Sequence, residues 1–449
     1  MRMFKETGVE WIGKIPRDWE VVILKKCCDL CKGLPITKAD LIKNGTPVIS
    51  YGQIHSKNNK WTVISKDLIR YVDNSYKFSN PFALAQVGSI IFADTSEDYE
   101  GIGNCIYVNL EQGIFAGYHT IIVRPFNIYY PKYLAFLFQT DCWRSQLRSS
   151  ASGIKVFSVT QKMLRNTTLI VPPNTKQQRI ADYLDSKCSK IDSIIEKQQA
   201  VIEKLKEYKL SVITEAVTKG LNPDVEMKDS GVEWIDKVPK HWKIVKLDDI
   251  FDFLGGYAYN SDLYVSESLN QVVRIGNVKN GFLKLDASPV YINDEVAEET
   301  SKFKLSSGTI LFTMTGTKGK RDYFYTHLIT DKDLMEKSLY INQRVGGLIS
   351  KTDLNAGYFN YLLKDKSILD SIFVYETGTA NQGNLGMESI RRTKLQFPSR
   401  EEQDAIVSYL DKKCLAIDSN IAKKQSIISK LLEYKKSLIY EVVTGKKEV

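Results

Sequence analysis

Two stretches of the chain, 177–219 and 403–445, carry apolar or small residues spaced by threes and fours over 43 positions each. This spacing is typical of a long amphipathic helix with a coiled-coil stripe. At 1.5 Å per residue each helix would be roughly 65 Å long, which is more than one small domain can cover. We therefore predict that the two helices pack on each other as an antiparallel coiled coil. The alternative is that each helix packs only on its own globular half.

Residues at the apolar positions form the predicted interface between the helices or with a partner. They are Leu184, Ile191, Ile195, Ile202, Leu205, Leu410, Ile417, Ile421, Ile428 and Leu431. Capping boxes at Thr175-x-x-Gln178 and Ser399-x-x-Glu402 follow prolines and predict where the helices start. Gly220 predicts the end of the first helix.

Outside the helices the pattern changes to short β-branched runs separated by turns rich in asparagine and glycine. Runs such as "GTPVISYGQIH", "IIVRP", "NQVVRIGNVKNG" and "GTILFTMTG" predict strands. Apolar patches at 131–139 and 357–364 predict short helices. The predicted fold class is α+β, with two mixed α/β domains joined by the two long helices. The predicted segments are 1–173 (domain), 174–220 (helix), 221–398 (linker and domain) and 399–449 (helix).

The sequence also contains an internal repeat. "GVEWIGKIPRDW" near the start returns as "GVEWIDKVPKHW", and ten of 17 positions are identical between 8–24 and 231–247. The long segments 177–219 and 403–445 share 24 of 43 positions. The offsets of the two matches, 223 and 226, differ by three residues, so we infer a tandem duplication. Between the shared ends the halves differ, which predicts one scaffold presenting two distinct recognition surfaces.

Composition and charge indicate which binding partners and which cellular compartment the protein could have. The 449 residues carry a formal net charge of +9, which is compatible with binding a polyanion such as DNA but does not require it. The longest apolar runs are too short to cross a bilayer, and the N-terminal residues lack the apolar core of a signal peptide. We expect a cytoplasmic protein whose seven cysteines are reduced thiols.

Motifs for catalysis are weak. "SNPF" at 79–82 resembles a methyltransferase loop but lacks its second proline and any glycine-rich cofactor segment before it, so we interpret it as a surface turn. Cys28-x-x-Cys31 is a lone pair without a second pair at zinc spacing. The sequence predicts no catalytic, cofactor-binding or metal-binding residue in this chain.

Polar side chains that could contact DNA lie in loops between the repeated segments. Arg, Lys, Asn and Gln can pair with base edges, and Lys and Arg also bind phosphates. The candidates are Tyr51, Gln53, His55, Lys57, Lys60, His119, Lys155, Gln161, Arg274, Asn277, Lys279, Lys318, Lys320, Arg321, Asn342, Gln343, Arg344, Asn381, Gln382, Arg391 and Arg392. The alternative for any single candidate is that it is simply solvated.

The phrases "GLNPDVEMKDSGVEWIDKVPKHWKIVKL" and "PPNTKQQRIADYLDSKCSKIDSIIEKQ", the latter with its copy, resemble the DNA-specificity (S) subunit of Type I restriction–modification systems. The resemblance covers essentially the whole chain. It implies two target recognition domains, each reading one half of a bipartite asymmetric DNA site. It also implies helices that set the gap between the half-sites and dock two methyltransferase (M) subunits. Restriction/translocase (R) subunits would join that complex, and S-adenosylmethionine, ATP and Mg would be bound by the partners.

Two alternative functions stay open. The chain could instead serve a fused nuclease–methyltransferase (Type IIG-like), or act as a coiled-coil protein adaptor. Met314 stands where such loops often carry arginine, and the first half is acidic there, with Asp94, Glu97 and Asp98. Those loops either contact DNA less or read cytosine amino groups. We interpret the repeated tryptophan phrase as a structural lead-in to each domain.

Overall fold

The computed structural model of the protein describes residues 3–9, 11–151, 153, 155–379 and 381–449. These residues form two compact units. The first contains 1–199 and 425–449, and the second contains 200–424. Each unit therefore includes one sequence repeat, the beginning of one long helix and the end of the other, which is a different division from the four predicted segments.

The first repeat alternates short strands with shorter helices. Its strands are β1 (Phe4–Glu6), β2 (Lys14–Pro16), β3 (Glu20–Ile23), β4 (Cys28–Lys32), β5 (Thr46–Ile49), β6 (Arg70–Val72), β7 (Leu84–Ala85), β8 (Ile90–Ala93), β9 (Thr95–Ser96), β10 (Cys105–Tyr107), β11 (Ile114–Ala116), β12 (Thr120–Pro125), β13 (Phe157–Ser158) and β14 (Thr168–Val171). Its helices are α1 (Tyr51–Ile54), α2 (Tyr76–Ser79), α3 (Pro131–Phe138), α4 (Asp141–Arg148) and α5 (Gln161–Arg165). The first long helix, α6 (Asn174–Lys219), follows.

The second repeat has the same order of main elements. Its strands are β15 (Met227–Val232), β16 (Ile235–Pro239), β17 (Lys243–Lys246), β18 (Phe251–Gly255), β19 (Tyr264–Val265), β20 (Asn270–Val273), β21 (Val278–Lys279), β22 (Phe282–Leu283), β23 (Tyr291–Ile292), β24 (Ile310–Thr313), β25 (Thr315–Gly316), β26 (Thr326–Leu328), β27 (Ser338–Ile341), β28 (Val345–Ser350), β29 (Thr377–Thr379), β30 (Gln382–Asn384) and β31 (Lys394–Phe397). Its helices are α7 (Leu247–Ile250), α8 (Asp294–Glu299), α9 (Ala356–Leu362), α10 (Lys366–Phe373) and α11 (Met387–Arg391). The second long helix is α12 (Arg400–Val443).

Both repeats are built on the same pair of sheets. In the first, an antiparallel sheet has the order β10-β8-β12-β4, and a mixed sheet has the order β6-β5-β11-β7 with β5 and β11 parallel. In the second, the antiparallel sheet has the corresponding order β26-β24-β28-β18, and the mixed sheet has the order β19-β23-β20-β27, in which the parallel pair β20 and β27 lies at one edge. The duplication inferred from the two ends of the repeat therefore extends through its divergent middle.

The central strand of each antiparallel sheet separates two cores. In β8, Ile90 and Phe92 face one hydrophobic cluster while Ile91 and Ala93 face another. Successive side chains of a strand point to opposite faces, so a strand covered on both faces must be apolar throughout. This explains why "SIIFA" is a continuous apolar run rather than an alternating one. In β24 the same division places Ile310 and Phe312 in one core and Leu311 in the other.

The repeated tryptophan phrase forms a hairpin followed by a buried anchor. Strand β1 pairs with β2, and β15 pairs with β16. Trp19 and Trp242 come next and are each only 1% exposed. Each lies against the glycine that follows the end of a long helix: Gly445 for Trp19, and Gly220 for Trp242. Both glycines have positive φ, +72° and +77°, a conformation that ends helices and favours glycine.

The long helices pack together in antiparallel orientation. Near the start of α6, Asp192 pairs with Lys435 of α12 across 2.7 Å. Near the other end of α6, Lys209 pairs with Asp418, also across 2.7 Å. Each of the two compact units therefore contains one ion pair between α6 and α12. Lys209, which interrupts the predicted apolar stripe, is thus held by a carboxylate of the opposite helix.

The predicted interface residues lie on the inner faces of these helices. Leu184, Ile191, Ile202, Leu410, Ile417 and Ile428 are buried, and Ile195, Leu205, Ile421 and Leu431 are half-buried. Within the first unit, Leu184 belongs to the same core as Leu438 of α12. Within the second, Leu410 belongs to the same core as Val217 of α6.

One of the two predicted capping boxes is wrong. Ser399 and Glu402 form the reciprocal hydrogen bonds of a capping box at the start of α12. Helix α6, however, begins at Asn174, so Thr175 already lies inside its first turn. The amides of that turn bond instead to the carbonyl of Pro173. The helix starts two residues earlier than the box requires because the preceding proline can supply its backbone carbonyl to the first turn.

Candidate nucleic-acid interface

Four loops of the first repeat lie together and form what we call reading surface 1: 50–59, 94–104, 117–119 and 155–160. His55 joins the first loop to the second, because its Nε2 lies 2.8 Å from the carbonyl oxygen of Thr95. His119 joins the third to the second, with its Nδ1 3.1 Å from Oδ1 of Asp94. The fourth loop is attached through the pairing of β13 with β9. Tyr51 completes the cluster, with its ring centroid 5.5 Å from that of His119.

The equivalent loops of the second repeat form reading surface 2: 274–281, 314–325, 342–344 and 377–384, of which Ala380 is not described. The amide of Asn342 bonds to the carbonyl of Val273, which ties the third loop to the first. Strand β25 pairs with β30, which ties the second loop to the hairpin β29–β30. Lys318 strengthens that contact, donating to the carbonyl of Gly378 across 2.8 Å.

Two candidate DNA contacts occupy the same structural position in the two repeats. Gln53 accepts a hydrogen bond from the amide of Ser50 through its side-chain oxygen at 3.1 Å. Asn277 accepts from the amide of Arg274 in the same way at 2.9 Å. Asn277 is 2% exposed and also donates to the carbonyls of Lys284 and Ala287. Its amide group therefore holds a turn, and we leave Asn277 out of the proposed DNA contacts.

Several other candidates are exposed on the two surfaces. On surface 1 these are Lys57, His119 and Lys155; on surface 2 they are Lys318, Lys320, Gln343, Arg344, Asn381 and Gln382. Tyr51, Gln53, His55, Gln161, Asn342, Arg274 and Lys279 are half-buried. The guanidinium of Arg274 is partly used within the domain, since it donates to the carbonyl of Ser288 at 2.6 Å.

Two candidate cations are paired with acids inside the fold. Lys60 forms an ion pair with Glu196 of α6, and this hydrogen bond raises the pKa of the lysine. Arg321 forms an ion pair with Asp370 of α10, and its guanidinium also lies 5.7 Å from the ring of Phe373. These pairs connect the loops to helices and reduce the charge that the two residues can offer to DNA.

Arg391 and Arg392, predicted as DNA contacts, lie at the end of α11. Arg391 pairs with Asp248 across 2.6 Å, and its guanidinium lies 4.6 Å from the ring of Phe253. Arg392 pairs with Glu388 one turn earlier in the same helix. Both partners belong to the second repeat but not to the four loops of reading surface 2, and the DNA contacts of Arg391 and Arg392 stay a prediction.

Sequence reasoning missed the acid and the phenol that organise surface 2. Glu376 accepts from the amide of Gly319 and from the hydroxyl of Tyr323, which lies 2.8 Å away. Burial, then this hydrogen bond to the carboxylate, raise the pKa of Tyr323. The only signal was the match of "SSGTILFTMTG" to "VGSIIFADTSE", which marks the loop as equivalent but does not identify its partners.

The described part of the chain was also compared with the requirements for metal binding, membrane spanning and disulfide formation. Among the residues with assigned placement, no group of three or more His, Cys, Asp and Glu side chains is arranged to hold a metal ion. Within the same residues, no helix has the length and apolar character needed to cross a membrane. The seven cysteines are free thiols. Cys31, of the predicted lone pair, lies 2.8 Å from the guanidinium of Arg124.

A family model described as Type I restriction modification DNA specificity domain matches the chain twice, at residues 16–204 and 239–429. The chain therefore belongs to the family of Type I restriction–modification DNA specificity subunits. The predicted recognition and the predicted fold class of two tandem domains with two long helices are both confirmed. The match to this family over most of the chain does not favour the fused-enzyme or adaptor alternatives.

Relatives cover nearly the full length. The Type I restriction enzyme MjaVIII specificity subunit of Methanocaldococcus jannaschii is 23% identical over 468 residues, spanning 99% of this chain and 97% of that protein. The EcoKI specificity subunit of Escherichia coli K12 is 19% identical over 439 residues, spanning 96% and 90%.

Solved structures show the same fold. A chain from a structure concerning complex assembly and conformational transition of the type I R-M system superposes with a TM-score of 0.71 at 16% identity, covering 96% of this chain and 99% of that one. The HsdS subunit from Thermoanaerobacter tengcongensis gives a TM-score of 0.51 at 15% identity, covering 96% and 98%.

Proposed function

We propose that this specificity subunit reads a bipartite, asymmetric DNA site, one half with each reading surface. The observation that carries the proposal is the construction of the two surfaces: four equivalent loops on equivalent sheets, with different side chains in almost every loop position. A duplicated scaffold places two readers on DNA, while different side chains make the two half-sites unlike each other.

The long helices would set the distance between the half-sites. The proposal is supported by the ion pair that joins the two helices within each unit, Asp192–Lys435 in the first and Lys209–Asp418 in the second. Each helix also holds its own repeat through a buried glutamine. Gln177 accepts from the amide of Tyr130, and Gln403 accepts from the amide of Asn355, both at 2.8 Å.

The catalytic steps would belong to partner subunits. Two methyltransferase subunits would modify adenine with S-adenosylmethionine, and restriction/translocase subunits would use ATP and Mg. Adenine methylation requires the base to leave the helical stack, which is the work of the methyltransferase rather than of a reading loop. Equivalent tyrosines on the outer faces of the long helices, Tyr208 and Tyr434, are each 53% exposed and suit two matching docking positions.

A methylation map tests this function. The chain is co-expressed with its neighbouring methyltransferase in a host that lacks adenine methylation, and modified adenines are located by long-read sequencing. We expect a single split motif with two unlike halves and a fixed gap, and no motif when this chain is omitted. A contiguous or palindromic motif, or methylation that persists without this chain, would contradict the proposal.

A further inference from the structure

The two reading surfaces contain one pair of positions with the same main-chain hydrogen bonds and different side-chain chemistry. On surface 1 the amide of Asp94 donates to the carbonyl of His119 at 3.0 Å. On surface 2 the amide of Met314 donates to the carbonyl of Arg344 at 3.1 Å. An acid beside an imidazole in one repeat thus corresponds to a thioether beside a guanidinium in the other.

A second hydrogen bond fixes the equivalence. The carbonyl of Asp94 accepts from the amide of Val159 at 2.7 Å, and the carbonyl of Met314 accepts from the amide of Leu385 at 2.9 Å. Each pair is therefore held by main-chain bonds on both sides. The main-chain hydrogen bonds of Asp94 and Met314 therefore correspond, while their partners differ in backbone as well as in side chain: His119 has a positive φ of +54°, and Arg344 is not among the described residues with positive φ.

The chemistry on surface 2 suits guanine. Arg344 is exposed and forms no salt bridge with any residue that the structure describes. Beside it, Met314 packs partly against the core of the second repeat. An arginine that is free of an acid can donate two parallel hydrogen bonds to O6 and N7 of guanine in the major groove.

The chemistry on surface 1 suits a base that presents an amino group. Oδ1 of Asp94 accepts from the hydroxyl of Thr95 at 2.8 Å and lies near Nδ1 of His119, and these bonds fix the orientation of the carboxylate. Oδ2 forms no further hydrogen bond within the described residues. A carboxylate cannot pair with O6 or N7 of guanine, but it can accept from the N4 amino group of cytosine.

We propose that Arg344 on reading surface 2 reads a guanine, and that Asp94, a member of the equivalent pair of residues on reading surface 1, reads a cytosine through its amino group. This inference rests on the proposed function, since it assumes that the two surfaces contact DNA. It adds which residues distinguish between bases and which base each of these residues selects. His119 orients Asp94 and is a positioning residue.

The test is selection of duplexes from a randomised double-stranded DNA library by the full chain in complex with its methyltransferase. The native complex should enrich a split motif with a guanine in one half. With Arg344→Ala, that guanine position should lose its preference while the other half of the motif is unchanged. With Arg344→Lys, the positive charge stays, so overall affinity should change little, but the preference for guanine should still fall because lysine lacks the rigid, planar pair of donors that fits O6 and N7 in parallel.

A base analogue identifies the atoms. In a duplex carrying the selected motif, replacing the guanine by 7-deazaguanine removes the N7 acceptor. The native complex should bind this duplex several-fold more weakly, and Arg344→Ala should bind both duplexes alike, at an affinity roughly 5- to 100-fold below that of the native complex for the natural duplex. Lys320→Ala, a change at an exposed lysine of the neighbouring loop, is the matched control: it should keep the base preference and weaken binding to all sequences equally.

The matching test on surface 1 uses Asp94→Asn. An amide can accept from and donate to adenine, so the preference for cytosine in that half should fall and adenine should become tolerated. The second half of the motif should not change.

The inference is overturned if Arg344→Ala weakens binding to every sequence equally and retains sensitivity to 7-deazaguanine, because Arg344 would then be a phosphate contact. It is also overturned if the half-site altered by the variant contains no guanine. A native complex that selects no split motif would contradict the proposed function itself, which is a distinguishable result.

Discussion

The starts of the two long helices are joined to their repeats by side chains that occupy equivalent positions but differ in chemistry. At the start of α6, Lys176 donates to Asp18 across 2.6 Å. At the start of α12, the equivalent residue is Glu402, which lies 2.9 Å from Nε2 of His241 and accepts from Trp242 at 3.1 Å. The acid of the contact that joins each helix start to its hairpin segment therefore changes sides: it is Asp18 of the hairpin segment in the first repeat and Glu402 of the helix in the second, where it faces the imidazole of His241.

This difference predicts a pH dependence for the second repeat. Burial acts to raise the pKa of Glu402, but hydrogen bonds from His241, Trp242 and the backbone of Ser399 together lower it below the ordinary 4.5. A carboxyl whose pKa is lower in the folded state stabilises the fold above its ordinary pKa, and this contribution is lost as the pH falls through the folded value. We therefore expect Glu402→Gln to lower the urea midpoint at pH 7, with the difference shrinking below about pH 4.

The control for this experiment is Glu401→Gln, a change at the exposed neighbour in the same turn. It should leave the urea midpoint nearly unchanged at both pH values. An effect of Glu402→Gln that is equally large at pH 7 and at pH 3 would show that the charge of the carboxyl is not what matters.

Arg391 gives a second prediction at the scale of the residue. Because its guanidinium pairs with Asp248 and lies over Phe253, Arg391→Ala should lower the free energy of unfolding by about 1 kcal/mol. DNA affinity measured by fluorescence anisotropy should stay the same at matched salt. Arg392→Ala, which removes only an exposed pair within one helix, should change neither quantity measurably. A reduced salt dependence of DNA binding in Arg391→Ala would restore it as a phosphate contact.

At the scale of the element, each long helix starts on a buried glutamine. Gln403 is fully buried, accepts from the amide of Asn355 and donates to the carbonyl of Pro398. Gln403→Ala would leave both main-chain groups buried without partners, so we expect a loss of roughly 2 to 4 kcal/mol in the free energy of unfolding by urea. Gln425→Ala, at an exposed glutamine of the same helix, should change it by less than about 0.5 kcal/mol. Similar losses in the two variants would contradict this role.

The same elements show what the sequence could and could not predict. The long helices and the strands β8 and β24 were predictable because their apolar spacing is a local property. The candidate contacts were harder, because Gln53 and Asn277 are polar loop residues whose amides are used by backbone groups that only the folded turn brings near. The ion pair of Arg391 could not be predicted for the same reason, since Asp248 lies far from it in the chain.

At the scale of the whole molecule, each repeat is fastened to the beginning of one long helix and to the end of the other. Tyr133 of the first repeat donates to the carbonyl of Val443 at the end of α12. Tyr358 of the second donates to the carbonyl of Val217 at the end of α6. Both tyrosines are buried, and both bonds occupy equivalent places. A change in the length of only one helix would therefore break contacts at the far end of the other.

A test of whether the long helices set the gap between the half-sites must therefore lengthen both helices. Inserting seven residues after Gln199 in α6 and seven after Ile427 in α12 keeps the apolar stripes in phase, because seven is the period of the stripe. Each helix gains about 10 Å. Since base pairs are stacked about 3.4 Å apart, the gap in the methylation motif should lengthen by roughly one to three base pairs, while both half-sites stay the same. A single seven-residue insertion in α6 is the control and should reduce stability instead. An unchanged gap in the double insertion, with methylation retained, would show that the helices do not set the spacing.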